Sequence, residues 1–256
     1  MTARARLLMF LVAAAVIAVF FAVAYVRLPA FGSASHPYGD RAVAAALDHR
    51  TANVISSVNF DTRAFDTLGE ESILFGTVLG ATLLLRRARD ERHVRAQAED
   101  VMATTRLFGA LLLPVTLIVG VYIVAHGQLS PGGGFQGGVV LATALHLAYV
   151  AADYRVLKRL RPLAVLDVAD SLAAASYSIV GVAGLIAGGA FLKNVLPLGT
   201  FNQITSGGTV PVLNAAVGVE VASGLIALLA HFLDQAVELG DPDAPQSPTA
   251  DTKGGT

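Results

Sequence analysis

Acidic residues embedded in apolar sequence are the first places in this chain where chemistry can be sought. Glu220 stands near the middle of the apolar run Val210 to Phe232, with Ala216, Ser223 and Gly224 as its neighbours at helical spacing. An ionisable group at that depth is costly, and is a functional-site candidate by default, either titrating or attracting a cation. The competing role is a protonated carboxyl hydrogen-bonded across a helix contact. Glu70 and Glu71 precede the apolar run Ser72 to Leu85, which is too short to span a hydrocarbon core of about 30 Å at about 1.5 Å per residue. The helix must therefore start before them and carry at least one carboxylate into the outer bilayer. Glu71 is expected at the headgroups, and Glu70 either there or lining an ion route. Asp167 and Asp170 share a helix face that Ala174 and Tyr177 continue. Asp167 reads as a partner for nearby basic residues, whereas the deeper Asp170 is a candidate for an inner half-channel. His146, about one turn from a helix end, could relay protons or simply pack. His36 and His231 read as interfacial residues, and His126 borders a glycine-rich stretch.

The elements that must hold these residues are membrane helices. Of 256 residues, 54% are hydrophobic and 14% charged, with a mean hydropathy of +0.62, against about 25% charged in soluble domains. Six segments are expected to span: Leu7 to Val26, Asp66 to Leu85, Leu107 to Ala125, Leu129 to Val150, Leu163 to Phe191 and Val210 to Phe232. The first is longer than a signal peptide's apolar core and is read as a retained helix. With the N-terminus inside, every lysine and arginine except Arg27, Arg41, Arg50, Arg63 and Lys193 falls on the inner side. The fold class is thus an all-α polytopic bundle with both termini in the cytoplasm. In the outer segment, Asp40 is expected to cap a short amphipathic helix carrying Val43, Leu47, Val54 and Val58. The chain has no cysteine, which excludes disulfides, thiolate metal sites and cysteine nucleophiles. A net charge of −1 argues against a nucleic-acid partner. No nucleophile, base and metal constellation is recognisable, so an enzyme is the least favoured class.

Between the third and fourth spans lies Leu129 to Gly138, where Pro131 and Gly132, Gly133, Gly134, Gly137 and Gly138 interrupt the helical pattern around Phe135. The freed backbone survives at membrane depth only against protein or water. Two readings follow: close packing through small residues, or backbone dipoles facing a hydrated cavity and steering a cation. Gly184 and Gly188, four apart, read as a second small-residue contact, with a neighbouring subunit. The stretch lacks the Gly-Lys-Ser/Thr ending of a nucleotide loop.

Tyr122 to Gln128, followed by Pro131 to Gly138, closely resembles the signature of the MnhB-type subunit of the Mrp/Mnh-type multisubunit cation/proton antiporters. Where that family commonly has a second histidine, two positions after His126, this chain has Gln128. A later block, Asn194 to Thr200, Gly207 to Asn214 and Gly218 to Val221, resembles the C-terminal part of the same component, and Thr209 and Asn214 are expected to satisfy loop backbone there. Upstream, Asp61 to Glu70, with Asp61, Arg63, Asp66, Thr67 and Gly69, resembles the last two-helix portion of the family's large A-type component, which related membrane-bound hydrogenases carry as a small separate (MbhE-like) chain. The resemblance implies a fusion: residues 1–95 as a two-helix module like the end of that large component, 96–239 as a four-helix MnhB-like domain, and 240–256 as a disordered cytoplasmic tail. It implies a non-enzymatic subunit in a prokaryotic cell membrane, working beside larger antiporter-like subunits, with Na+ and H+ as transported ions, lipid around it and no cofactor. It also raises Glu70 as an ion-route candidate. A membrane subunit of a hydrogenase or other redox complex, a passive assembly scaffold and a stand-alone carrier remain as rivals.

Overall fold

The structure, a computed structural model, describes residues 3–28, 32, 36–85, 101–152 and 163–233. The basic residues expected on the inner side at 86–95 and 155–161, Asp167's side chain and the tail 240–256 lie outside the described residues. Two units divide at Arg41 and Ala42. The first is essentially helix α1 (Ala3–Val26) and the start of α2 (Pro37–Asp48). The second continues through α3 (Val54–Ser57), a π turn over Val58–Thr62, α4 (Ala64–Leu84), α5 (Ala103–Ala125), α6 (Gly134–Ala152), α7 (Leu163–Gly188) and α8 (Val210–Leu233). No strand occurs among the described residues, so the chain is an all-helical, polytopic bundle.

Five of these helices, α1, α5, α6, α7 and α8, are long and apolar enough to cross a membrane. The sixth expected span, α4, has the length at 21 residues, but Asp66, Glu70 and Glu71 fall in its first half and lower its apolarity. Its inner stripe compensates by packing. Ala64, Thr67, Glu71 and Val78 are buried at heptad-like spacing, and they dock on α7 and α8.

Helix α8 is the centre of the second unit and packs against α4, α5, α6 and α7. Its apolar window is 56% buried, against 11% for α5, because four helices surround it. Val210, Leu213, Val217 and Val221 form the core with Phe60 and Ala64 from before residues 86–100, and with Tyr177 and Leu192 from after them. The expected modules 1–95 and 96–239 thus share one core. At one end, three expected outer segments meet: Asn53 donates to the carbonyls of Gly127 and Ser130 at 2.8 Å each, Gln128 donates to the carbonyl of Ile204 at 2.5 Å, and Arg50 donates to that of Gly199.

Close approach by α6 depends on its glycines. A Cβ on Gly134 would lie 2.5 Å from the Asn214 carbonyl oxygen and 2.6 Å from Val217 Cβ, one on Gly138 would meet Val221, and one on Gly137 would meet Val124 of α5. Gly132 and Gly133 have φ of 135° and 132°, a region that disfavours any residue with a Cβ.

Three expectations are corrected. The fourth span starts at Gly134 and not at Leu129, since Pro131 and the two positive-φ glycines keep His126 to Gly133 outside any helix. The single amphipathic helix is two: α2 starts at Pro37, which is favoured at a first helical position, so Asp40 lies within its first turn. The chain then turns at Arg50, with φ 56°, and Asn53 caps α3; Val43 and Leu47 stay exposed while Ala46 is buried. Gly184 and Gly188 face their own chain, where Lys193 and Val195 of the following loop cover them.

Replacing Gly134 by leucine will force α6 from α8, at about 1–3 kcal/mol or more. The purified variant will melt below the parent, while Gly69→Ala, where a Cβ meets nothing within 4 Å, will melt as the parent does. Asn214→Ala will cost about 1–3 kcal/mol, because it strands a buried amide and a buried serine, and it will lower the thermal midpoint of the purified protein.

Candidate functional site: a buried carboxyl pair between three helices

The helix stripe Ala64, Thr67, Glu71 and Val78 turns one acid of the Glu70–Glu71 pair inward. Glu71 is 2% exposed and Glu70 is exposed. This corrects the expectation that Glu71 faces headgroups. The signal was in the sequence, since Glu71 lies four residues after Thr67 and seven before Val78, on the side of α4 that carries its small and apolar core residues.

Across the interface, Glu220 of α8 is 1% exposed, and the Glu71 and Glu220 carboxyls interact side chain to side chain. Neither oxygen of Glu71 nor Oε1 of Glu220 meets a hydrogen-bond donor. The third wall is α7. Tyr177, 1% exposed, borders Glu71 and Thr67 and donates its hydroxyl to the Ala64 carbonyl at 3.0 Å. Thr67 donates to the Asn59 carbonyl at 2.7 Å. Ser223, one turn beyond Glu220, donates to the Val219 carbonyl at 2.6 Å and lies 3.5 Å from Asp170 Oδ1. Gly224 leaves room for Val78 and Asp170 to approach α8.

Of the expected ion-route residues, Glu220 and Asp170 therefore stand together. Glu70 occupies the exposed side of α4. His146, on α6, meets the Leu225 backbone and has a buried, unpartnered Nε2. Sequence reasoning missed Glu71 and Asn53.

The glycine stretch is satisfied by asparagines. Asn214, fully buried, accepts from the Gly134 N–H at 2.9 Å and donates to Ser56 Oγ at 2.8 Å. Thr209, expected to act similarly through its side chain, instead offers its backbone N–H to Asn194 at 2.9 Å, and its hydroxyl is unpartnered. Gln128, where the resembled family has histidine, is fully buried. His126 stacks on Tyr122 with ring centroids 4.0 Å apart.

The motif that resembles the large antiporter component lies toward the same end. Asp61 pairs with His49 and accepts from Asn194 Nδ2 at 3.3 Å, and Arg63 pairs with Asp66 at the surface. Asp61, Arg63, Phe65, Phe191 and Lys193 border a recess of ≈ 400 Å³. Among the described residues, no three His, Cys, Asp or Glu side chains are grouped so as to hold a metal ion.

The family model of a domain related to the MnhB subunit of Na+/H+ antiporters matches residues 104–227, which is α5 through most of α8. A protein of Methanocaldococcus jannaschii is 30% identical over 202 residues, covering 68% of this chain and 74% of that protein. A probable K+/H+ antiporter A/B subunit of Rhizobium meliloti is 30% identical over 132 residues, 43% of this chain and 13% of that protein. Among solved structures, a chain of the membrane-bound sulfane sulfur reductase, an archaeal respiratory membrane complex, superposes with a TM-score of 0.68 at 26% identity, covering 89% of this chain and 98% of that one. A chain of the Mrp complex from Dietzia sp. DQ12-45-1b shares the fold, with a TM-score of 0.64 at 23% identity, covering 97% of this chain and 27% of that one. A likeness that runs through the glycine break and the helix bearing Glu220 identifies the chain as a multi-pass membrane protein of the family related to the MnhB subunit of Na+/H+ antiporters.

Proposed function

We propose that this chain is an integral membrane subunit of a multisubunit monovalent cation/proton antiporter complex. The observation that carries the reading is the family match over α5 to α8, whose central helix holds the buried acid Glu220. In this reading residues 1–95 are a module like the end of the large A-type component, and 96–239 are an MnhB-like domain. The Rhizobium relative, whose name joins the A and B types in one protein, supports that division. The chain packs beside larger antiporter-like subunits in a prokaryotic cell membrane, with both termini inside. The exposed apolar faces of α5 and α7, among them Leu111, Ile118, Ile179 and Ile186, meet lipid or those partners. Glu220, Asp170, Glu70 and His146 are the residues through which the chain would contribute to an ion route. The glycine stretch serves packing in this account, because its small residues are filled by α5, α8 and Asn214.

A second reading, a membrane subunit of a redox-linked ion-pumping complex, is favoured by one observation: a respiratory-complex chain matches this chain over 98% of its own length.

Everted vesicles carrying the complex will dissipate a preformed ΔpH on addition of sodium. Glu220→Gln will abolish most of that response while leaving the complex intact on a native gel. A variant equal to the parent would make Glu220 a packing residue and return the route to Glu70. No cation-dependent response in the parent would favour the redox-linked complex.

A further inference from the structure

Two buried carboxyls with unpartnered oxygens need something positive between them. Glu71 and Glu220 are 2% and 1% exposed, and three of their four oxygens have no donor. The surrounding hydroxyls offer none. Tyr177, Thr67 and Ser223 each have one hydroxyl hydrogen, and each is committed to a backbone carbonyl, of Ala64, Asn59 and Val219 respectively. The charged groups acting on the pair, Glu70 and Asp170, are acidic as well. On the α6 side of α8, His146 meets the Leu225 backbone. Leaving both carboxylates bare in this interior would cost many kcal/mol, and burial of charge without a partner is what folded proteins avoid.

Only a proton or a cation meets the need. With one proton, the pair makes a carboxyl-to-carboxylate hydrogen bond, which is short and strong in a dry setting. With one monovalent cation and no proton, the same oxygens become ligands. The hydroxyl oxygens of Tyr177 and Thr67, whose hydrogens point elsewhere, then keep lone pairs available, and all-oxygen surroundings suit hard cations. Among the described residues, no three His, Cys, Asp or Glu side chains are grouped as a metal site, and a single pair of carboxylates suits a monovalent cation by charge. The charge balances: one carboxyl and one carboxylate carry −1, and so do two carboxylates with one bound cation.

We propose that Glu71 and Glu220 form a single exchange site, holding either one shared proton or one alkali cation, with a proton released for each cation bound. The site rests on the antiporter reading for its purpose, though not for its geometry. Asp170, beside Ser223 and Gly224, is the acid on its flank, and the site is built by α4, α7 and α8 together, from segments on both sides of residues 86–100.

Dicyclohexylcarbodiimide, which couples to proton-bearing carboxyls in apolar surroundings, tests this on the purified complex with the unmodified chain. Peptide mass spectrometry would follow labelling of Glu71 and Glu220 at fixed pH and ionic strength in choline, sodium or potassium chloride. Labelling of one of the pair is expected in choline, with several-fold slowing by sodium or potassium. In Glu71→Gln and Glu220→Gln complexes that assemble, the remaining acid is expected to label without cation protection. Labelling that is equal in all three salts, or absent from both residues in choline, overturns the proposal. The same preparation in proteoliposomes separates the two claims. Protection without cation/proton exchange removes the antiporter reading and keeps the site, while exchange without protection does the reverse.

Discussion

Where a helix break is packed against protein, protein groups must complete its backbone hydrogen bonds, and here two asparagines supply three of them. Asn53 reaches the Gly127 and Ser130 carbonyls, and Asn214 takes the first amide of α6 at Gly134. Each comes from a different part of the chain, one from before α3 and one from within α8. The break is therefore a junction at which the outer segment, the α5–α6 connection and the central helix are bonded to one another. Amides and carbonyls left open in apolar surroundings cost several kcal/mol each, so these contacts decide where α6 starts. That start in turn sets the register at which Gly134 and Gly138 meet Val217 and Val221.

The register has a consequence for charge. Helix α8 packs against α4, α5, α6 and α7, and Glu220, 1% exposed on its enclosed side, is confined to whatever its neighbours offer. The neighbours that would usually compensate a buried carboxylate are arginine, lysine or a set of backbone amides. What α4 and α7 offer is another carboxyl and hydroxyls whose hydrogens are already engaged. A purely structural role would be served as well by apolar residues of similar volume, which often stabilise more than buried charge does. Two facing acids with no basic partner among the described residues are thus hard to account for as packing.

Much of the fold was legible because the bilayer limits the choices. Span length and the apolar runs gave the all-helical class and five of the spans, and proline with glycine located the break between α5 and α6. The sites where the reading failed share one cause: a periodicity had to be judged against an unseen partner. Glu70 and Glu71 differ by about 100° around α4, and an isolated apolar run does not say which of them faces the bundle. The buried stripe Ala64, Thr67, Glu71 and Val78 would have said so had small residues been weighted with the large ones. Asn53 is harder still, since its bonds cross from residue 53 to residues 127 and 130, and a polar residue in a loop gives no local sign of such a distant acceptor. Gly184 and Gly188 show the reverse error, in which a helix-contact motif is met by a loop only a few residues away.

The origin of the two acids bears on why one chain would contain both modules. In the proposed two-module reading Glu71 belongs to the portion resembling the large antiporter component and Glu220 to the MnhB-like domain, and each would be an unpaired carboxyl in apolar surroundings if its module stood alone. An acidic residue near a helix centre costs about 2.5–3.5 kcal/mol on insertion scales, and docking converts two such costs into one shared proton or one bound cation. Joining the modules covalently replaces an encounter between separate chains with a nearly fixed effective concentration, so the half-site is rarely exposed. Complexes that keep the same two portions as separate chains would need to assemble them before either acid acquires its partner. In the proposed fusion that assembly is a step of folding, and the core shared by Phe60, Ala64, Tyr177, Leu213 and Val217 is the apolar contact that would drive it.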